Sequence, residues 1–190
     1  MDRRTQILEV AARLLEHYGP GKTTVAEIAR EAGLGVGTVY LEFHSKDDIL
    51  AALSHRRHEQ VLDAMQSARE RPAESFAARF RAVMDAKVDA LWRLSDTGAH
   101  AADLVHCGQS AVQQEHARFL QRERELLSSL LSDAAAAGEF SVSDPDATAA
   151  VVLTAYGAFA PPRLFHHCRD DIARKLRAMH ALVLDGLCAR

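Results

Sequence analysis

Residues 24–46 read TVAEIAREAGLGVGTVYLEFHSK, and the three glycines in the middle decide what kind of phosphate, if any, this stretch meets. Gly33, Gly35 and Gly37 alternate with apolar residues, as they do in loops that wrap a nucleotide. A dinucleotide loop needs G-x-G-x-x-G between a strand and a helix, and a P-loop needs G-x-x-x-x-G-K-[ST] in the same setting. Here Thr38 stands where the third glycine belongs, and the preceding AEIAREA has the spacing of an amphipathic helix. The nucleotide reading fails on sequence and on context. What remains is a helix from Thr24 to about Ala32, a turn at Gly33, and a second short helix from about Gly35 to Leu41. Gly33 supplies the positive φ that a tight helix-to-helix turn requires, while Gly35 and Gly37 let the second helix start and approach a surface closely. Spacing alone leaves two accounts open. One is a helix-turn-helix with its second helix free for a DNA major groove; the other is an ordinary αα-hairpin in a bundle.

The rest of the chain repeats its apolar residues at helical spacing, and no stretch alternates as a strand would. Ile7, Leu8, Ala11, Leu14, Leu15 and Tyr18 share one face of a first helix, ended by Gly19-Pro20-Gly21. Thr24 and Glu27 form the pattern of a capping box, and Ser45 with Asp48 a weaker one that opens a helix to about Arg69. Phe76, Phe80, Val83, Met84, Val88 and Leu91 mark the next helix, followed by a short piece over 99–107. A long helix carries Val112, His116, Phe119, Leu120, Leu127, Leu130 and Leu131, and Gly138 suits its C′ position. Asp144-Pro145 reads as an N-cap with Pro at the first helical position, and a last helix runs from about Asp171 to Cys188. The expectation is an all-α chain of about nine helices. It divides into a three-helix module over 1–46, which holds the candidate helix-turn-helix, and a larger helical domain over 47–190.

Composition narrows the classes. Nearly half of the 190 residues are hydrophobic, enough for a sizeable core, and the formal net charge is −3. Contact with a polyanion therefore rests on a local patch and not on the whole-chain field. Three cysteines at irregular spacing indicate neither a disulfide framework nor a zinc ribbon. No apolar run reaches the ~20 residues of a membrane span, and the N-terminal stretch lacks the continuous apolar region of a signal peptide. The expectation is a soluble, cytoplasmic protein without membrane contact.

ILEVAARLLEHYG, KTTVAEIAREAGLGVGTVYLEF and HSKDDIL follow one another in a single register. This N-terminal sequence resembles the DNA-binding domain of the tetracycline-repressor (TetR) family of transcriptional regulators. The resemblance implies that Thr23 and Thr24 hold a DNA phosphate at the start of the second helix. It places Val36, Gly37, Thr38, Tyr40 and Leu41 on the recognition helix, with Thr38 and Tyr40 at positions that touch backbone or base. Lys46 matches a phosphate contact, and His44 is a candidate for another. Two departures stand out. Position 35, often a capping serine in the family, is Gly35, and positions 36, 41 and 42, often polar or basic, are Val36, Leu41 and Glu42.

The resemblance further implies a homodimer on a palindromic double-stranded operator, released by an unidentified small-molecule effector. Val151, Val152, Ala155, Phe159, Leu176, Met179, Val183 and Leu187 are the candidate dimer residues. Met84, Trp92, His106, Phe119 and Tyr156 are candidates to line the effector pocket, because they join apolar bulk to a few polar tips. No cofactor, metal site or catalytic constellation is expected, and the chain does not read as an enzyme. The alternative is a metal- or thiol-responsive regulator on the same scaffold, prompted by His55 and His58 at i, i+3 and by the His106-Cys107 and His166-His167-Cys168 clusters.

Overall fold

The computed structural model describes residues 2–95, 110–161, 164 and 168–188. Among them eight α-helices form: α1 Arg3–Tyr18, α2 Val25–Glu31, α3 Val36–Glu42, α4 Lys46–Glu70, α5 Phe76–Ser95, α6 Ser110–Ala136, α7 Pro145–Tyr156 and α8 Arg169–Leu187. A short 3-10 turn, Gly157–Phe159, continues α7. No strand occurs among the described residues, and an isolated bridge between Phe140 and Cys188 is the sole β-type pairing there. The all-α reading holds. The short piece expected over 99–107 lies outside the described residues.

Local chemistry sets the helix ends. At α2 the Thr24 hydroxyl accepts from the Glu27 amide while the Glu27 carboxylate accepts from the Thr24 amide, a complete capping box. The hydroxyl and amide of Thr24 together hold the Glu27 carboxyl below its ordinary range. Ser45 accepts from the Asp48 amide to open α4, and Asp144 accepts from the Ala147 amide to open α7, with Pro145 at the first helical position. Two helices end in the same motif. Beyond α2 the Gly33 amide donates to Arg30 O and the Leu34 amide to Ala29 O; beyond α6 the Gly138 amide donates to Ala135 O and the Glu139 amide to Ala134 O. Both are Schellman closures, which need a left-handed residue at C′, and Gly33 and Gly138 have φ of 66° and 75°.

The chain groups into two compact units, Met1–His58 with Leu94–Arg118 and Glu59–Arg93 with Phe119–Arg190. In the first, Ile7, Val10, Ala11 and Leu15 of α1 pack with Ile28 and Ala29 of α2, Val39 of α3, and Ile49, Leu50 and Leu53 of α4. The opening turns of α4 thus share a core with the three helices before it. Tyr18, expected on the buried face of α1, is half exposed, and Val10 takes the inward position instead.

The second unit buries Val61, Leu62 and Met65 of α4, Phe80, Val83 and Met84 of α5, Leu127, Leu130 and Leu131 of α6, Tyr156 of α7 and Ile172 of α8. Polar groups interrupt this core twice. Lys87 of α5 and Glu123 of α6 form an ion pair with Nζ 2.5 Å from Oε1, and neither side chain is more than 5% exposed. Nearby in the chain, Asp85 Oδ1 lies 2.9 Å from His180 Nε2, and His180 Nδ1 lies 2.6 Å from the Tyr156 hydroxyl. A carboxylate can only accept, so His180 Nε2–H donates to Asp85, and in that tautomer Nδ1 accepts from the Tyr156 hydroxyl.

Candidate nucleic-acid interface

α3 has seven residues, too few to hold a helix alone in water. Its inner face explains its persistence. Val39 and Phe43, four residues apart, are buried in the core of the first unit. α1 then secures both neighbours from the side: Arg4 Nη1 donates to the Glu42 carbonyl at 2.7 Å, and Gln6 Nε2 donates to the Ala32 carbonyl at 2.8 Å. The Arg4 guanidinium also lies 4.1 Å from the centre of the Phe43 ring. These bonds satisfy carbonyls that helix ends leave free.

The outer face of α3 carries Val36, Gly37, Tyr40 and Leu41, which fall together because 36, 37, 40 and 41 share one side of a helix. Leu41 is 81% exposed and lies beside the exposed Val36 and Tyr40, so the face presents a contiguous apolar patch. Thr38 is half buried at the edge of this face, and His44 is exposed just beyond it. No charged group lies on the face until Glu42 at its end. A Cβ built at Gly37 meets nothing within 4 Å, so the surface above it is open to an approaching partner.

The flanking cations are distributed unevenly. Lys46, the first residue of α4, donates from Nζ to the Pro20 carbonyl, which holds its ammonium beside the turn before α2. Lys22 and Arg30 line a surface groove of about 360 Å³ between α1 and α2 together with Leu14, Tyr18, Thr23, Glu27 and Glu31. The capping box engages the Thr24 and Glu27 amides, leaving the two amides of the first helical positions, Val25 and Ala26, for an outside acceptor.

Thr23 departs from its expected role. It is 2% exposed, its hydroxyl donates to the Gly19 carbonyl at 3.0 Å, and its amide also turns back to Gly19. It braces the α1–α2 turn and presents no donor outward. Thr24, by contrast, is exposed. Gly35 caps α3 with φ −71° and no side-chain bond, as the sequence led one to expect, and a Cβ there would sit 3.7 Å from Thr38 Oγ1 in ordinary contact. Gly35→Ser should therefore stabilise the chain by about 0.5–1 kcal/mol, through the added cap and lower unfolded-state entropy. The expected rise in Tm is ~1–4 °C, read by circular dichroism; an unchanged or lower Tm would contradict the capping geometry.

Several other expected positions lie apart from this face. Val152, Phe159, Leu176 and Leu187, expected at a dimer seam, are buried within the chain and serve as core. Val151 and Ala155 are exposed on α7, and Met179 and Val183 are half buried on α8. Leu182, which the sequence reading passed over, is 72% exposed, close to the 69% of Val151. Of the expected pocket residues, Met84, Phe119 and Tyr156 are buried and Trp92 is half buried, while His106 lies outside the described residues. Asp85, Lys87, Glu123 and His180 were missed, although the last three left a trace. His180 falls on the ladder Ile172, Leu176, Leu184, and Glu123 stands midway between Phe119 and Leu127; Lys87 follows Val83 by one helical turn. A polar letter at a core register is the signal.

Among the described residues no helix is long and apolar enough to cross a membrane. Residues 7–53 match the family described as bacterial regulatory proteins, tetR family, and residues 72–180 match the tetracyclin repressor-like C-terminal domain. The chain is 34% identical over 61 residues to the fatty acid metabolism regulator protein of Bacillus subtilis, covering 32% of this chain and 31% of that protein. It is 32% identical over 88 residues to the HTH-type transcriptional repressor KstR2 of Mycolicibacterium smegmatis, covering 43% of each. The chain thus matches less than half the length of these curated relatives. A TetR/AcrR-family regulator from Thermobifida fusca superposes with a TM-score of 0.75 at 24% identity, over 98% of both chains. With both a family DNA-binding domain and a family C-terminal domain in place, the chain belongs to the TetR family of bacterial transcriptional regulators.

Proposed function

We propose that this regulator is a cytoplasmic repressor that binds a palindromic operator as a homodimer and leaves it when a small-molecule effector binds. The observation that carries the reading is the exposed, uncharged outer face of α3, with Val36, Gly37, Tyr40 and Leu41 turned away from a core that holds Val39 and Phe43. A face of this composition reads bases by shape and apolar contact, for which the thymine methyl is the natural partner in the major groove. Thr38 and Tyr40 bond to backbone or base. Affinity then comes from phosphates, met by Lys46, by Thr24 and the free amides that follow it, and by His44.

One short helix cannot specify a site alone, so two copies read two half-sites. The exposed apolar residues Val151, Ala155 and Leu182 on α7 and α8, flanked by Met179 and Val183, support a self-complementary seam there. Met84, Trp92, Phe119 and Tyr156 are the proposed effector-lining residues. An effector that binds one spacing of the two recognition helices better than the other shifts operator affinity by the same factor through linkage. The repressor reading draws on the relative named as one.

Selection of the full chain against random duplex DNA tests the proposal. A palindrome with half-sites about one helical turn apart is the expected product, and enrichment of no palindrome would overturn it. Lys46→Ala should weaken binding to all duplexes alike and reduce the slope of log K against log salt by about 0.9 per protomer. An unchanged slope would remove Lys46 from the phosphate contacts.

A further inference from the structure

Two imidazoles from separate helices face each other in the first unit. His58 Nε2 on α4 lies 3.5 Å from His116 Nδ1 on α6, with the rings tilted by 40°. As a hydrogen bond between neutral imidazoles this is long, since N–H donors usually sit 2.7–3.2 Å from their acceptor. As the edge of a coordination tetrahedron it fits. With metal–nitrogen bonds of about 2.0–2.1 Å, two ligands at the tetrahedral angle stand about 3.3–3.4 Å apart.

His55 Nδ1 and Glu115 Oε2, 3.1 Å apart, form a second pair on the same two helices, one turn back on α4 and one residue back on α6. Glu115, next in the chain to His116, divides its carboxylate between His55 and the Arg118 guanidinium. Imidazole nitrogens select zinc, nickel and copper over calcium and magnesium, which prefer oxygen.

We propose that His58 and His116 form a binding site for a divalent transition metal of the zinc class. Among the described residues no three His, Cys, Asp or Glu side chains already surround one point. The site joins two helices of the unit that also contains α3.

The test is zinc titration of the tag-free full chain in competition with a chromophoric chelator, a measurement that involves no DNA and so stands apart from the regulator reading. One equivalent bound by the native chain, with affinity lowered at least tenfold by His58→Ala and by His116→Gln, is the expected result. His116→Gln keeps a hydrogen-bonding side chain while removing the ligand, so a pair that only shares a hydrogen bond would bind no zinc in either form. The exposed His17→Ala should bind as the native chain does. The proposal is overturned if the native chain takes up no zinc, if both site variants bind it equally well, or if His17→Ala loses as much as they do. Circular dichroism checks the fold, and should His58→Ala unfold, His116→Gln alone decides.

Discussion

Lys87→Met should lower the stability of the chain by about 3–5 kcal/mol, the usual loss when one partner of a buried ion pair is removed and a charge stays behind. The reason lies in burial. Glu123 is 1% exposed and Lys87 5%, so neither charge regains water when its partner goes. Glu123→Leu alone should be comparably harmful, because it strands the ammonium. Replacing both together should be close to neutral or stabilising by about 1–4 kcal/mol, since apolar side chains of similar volume fill the site without a desolvation penalty. Urea unfolding at one fixed protein concentration measures all three variants and avoids the dependence of an oligomer's midpoint on dilution. If Lys87→Met alone shifts stability by less than about 1 kcal/mol, the range of an exposed pair, the pair is not sealed from solvent as described.

The second large effect is a pH-dependent deficit at Tyr156. At neutral pH Tyr156→Phe should destabilise the chain by about 1–3 kcal/mol, because His180 Nδ1 loses its buried partner. Alkaline conditions change the balance. Burial, with a smaller contribution from the Asp85 charge, pushes the Tyr156 hydroxyl well above its ordinary value of 10.0. A raised folded-state value means that the stabilising linkage is complete below pH ~10 and is lost as pH rises from there toward the folded-state value. Above pH ~10 the unfolded chain releases this proton and the folded chain keeps it, so the native protein loses up to ~1.4 kcal/mol per pH unit from this site. The phenylalanine variant lacks that loss. Its deficit relative to the native chain should shrink between pH 10 and 11, and a deficit that stays constant over that range would show that Tyr156 ionises freely in the folded chain.

These groups also mark where sequence reading stops. Features fixed by a few neighbouring residues were legible, because their physics is local. The Thr24–Glu27 box, the Asp144-Pro145 start, the Gly138 ending and the bare Gly35 cap all formed as expected. So did the turn at Gly33, whose positive φ follows from a Schellman closure. Features set by tertiary packing were not. Thr23 and Thr24 look alike in sequence, yet one hydroxyl faces the Gly19 carbonyl and the other the solvent side of a cap. Apolar letters on α7 and α8 could not be divided between core and outer face, since Val151 and Val152 differ by one residue and by nearly the whole range of exposure. Lys87, Glu123 and His180 broke the apolar pattern and were passed over, although an interruption of that kind is where a core holds its polar groups. His55 and His58 were visible as an i, i+3 pair, but only the fold could set His116 opposite His58.

The bonds from Arg4 and Gln6 to the ends of α3 and α2 have one more consequence. A seven-residue helix contributes little to its own persistence, so the outer face of α3 depends on the buried Val39 and Phe43 and on α1 residues that never share that face. The start of α1 acts as a latch. When Arg4 and Gln6 let go, the Glu42 and Ala32 carbonyls and the Phe43 ring each lose a partner, although Ile28, Ala29 and Val39 stay buried beneath them. A force that draws the first turn of α1 outward, from a neighbouring protein or a fused segment, would strip these contacts from the ends of α2 and α3 without touching the outer face of α3.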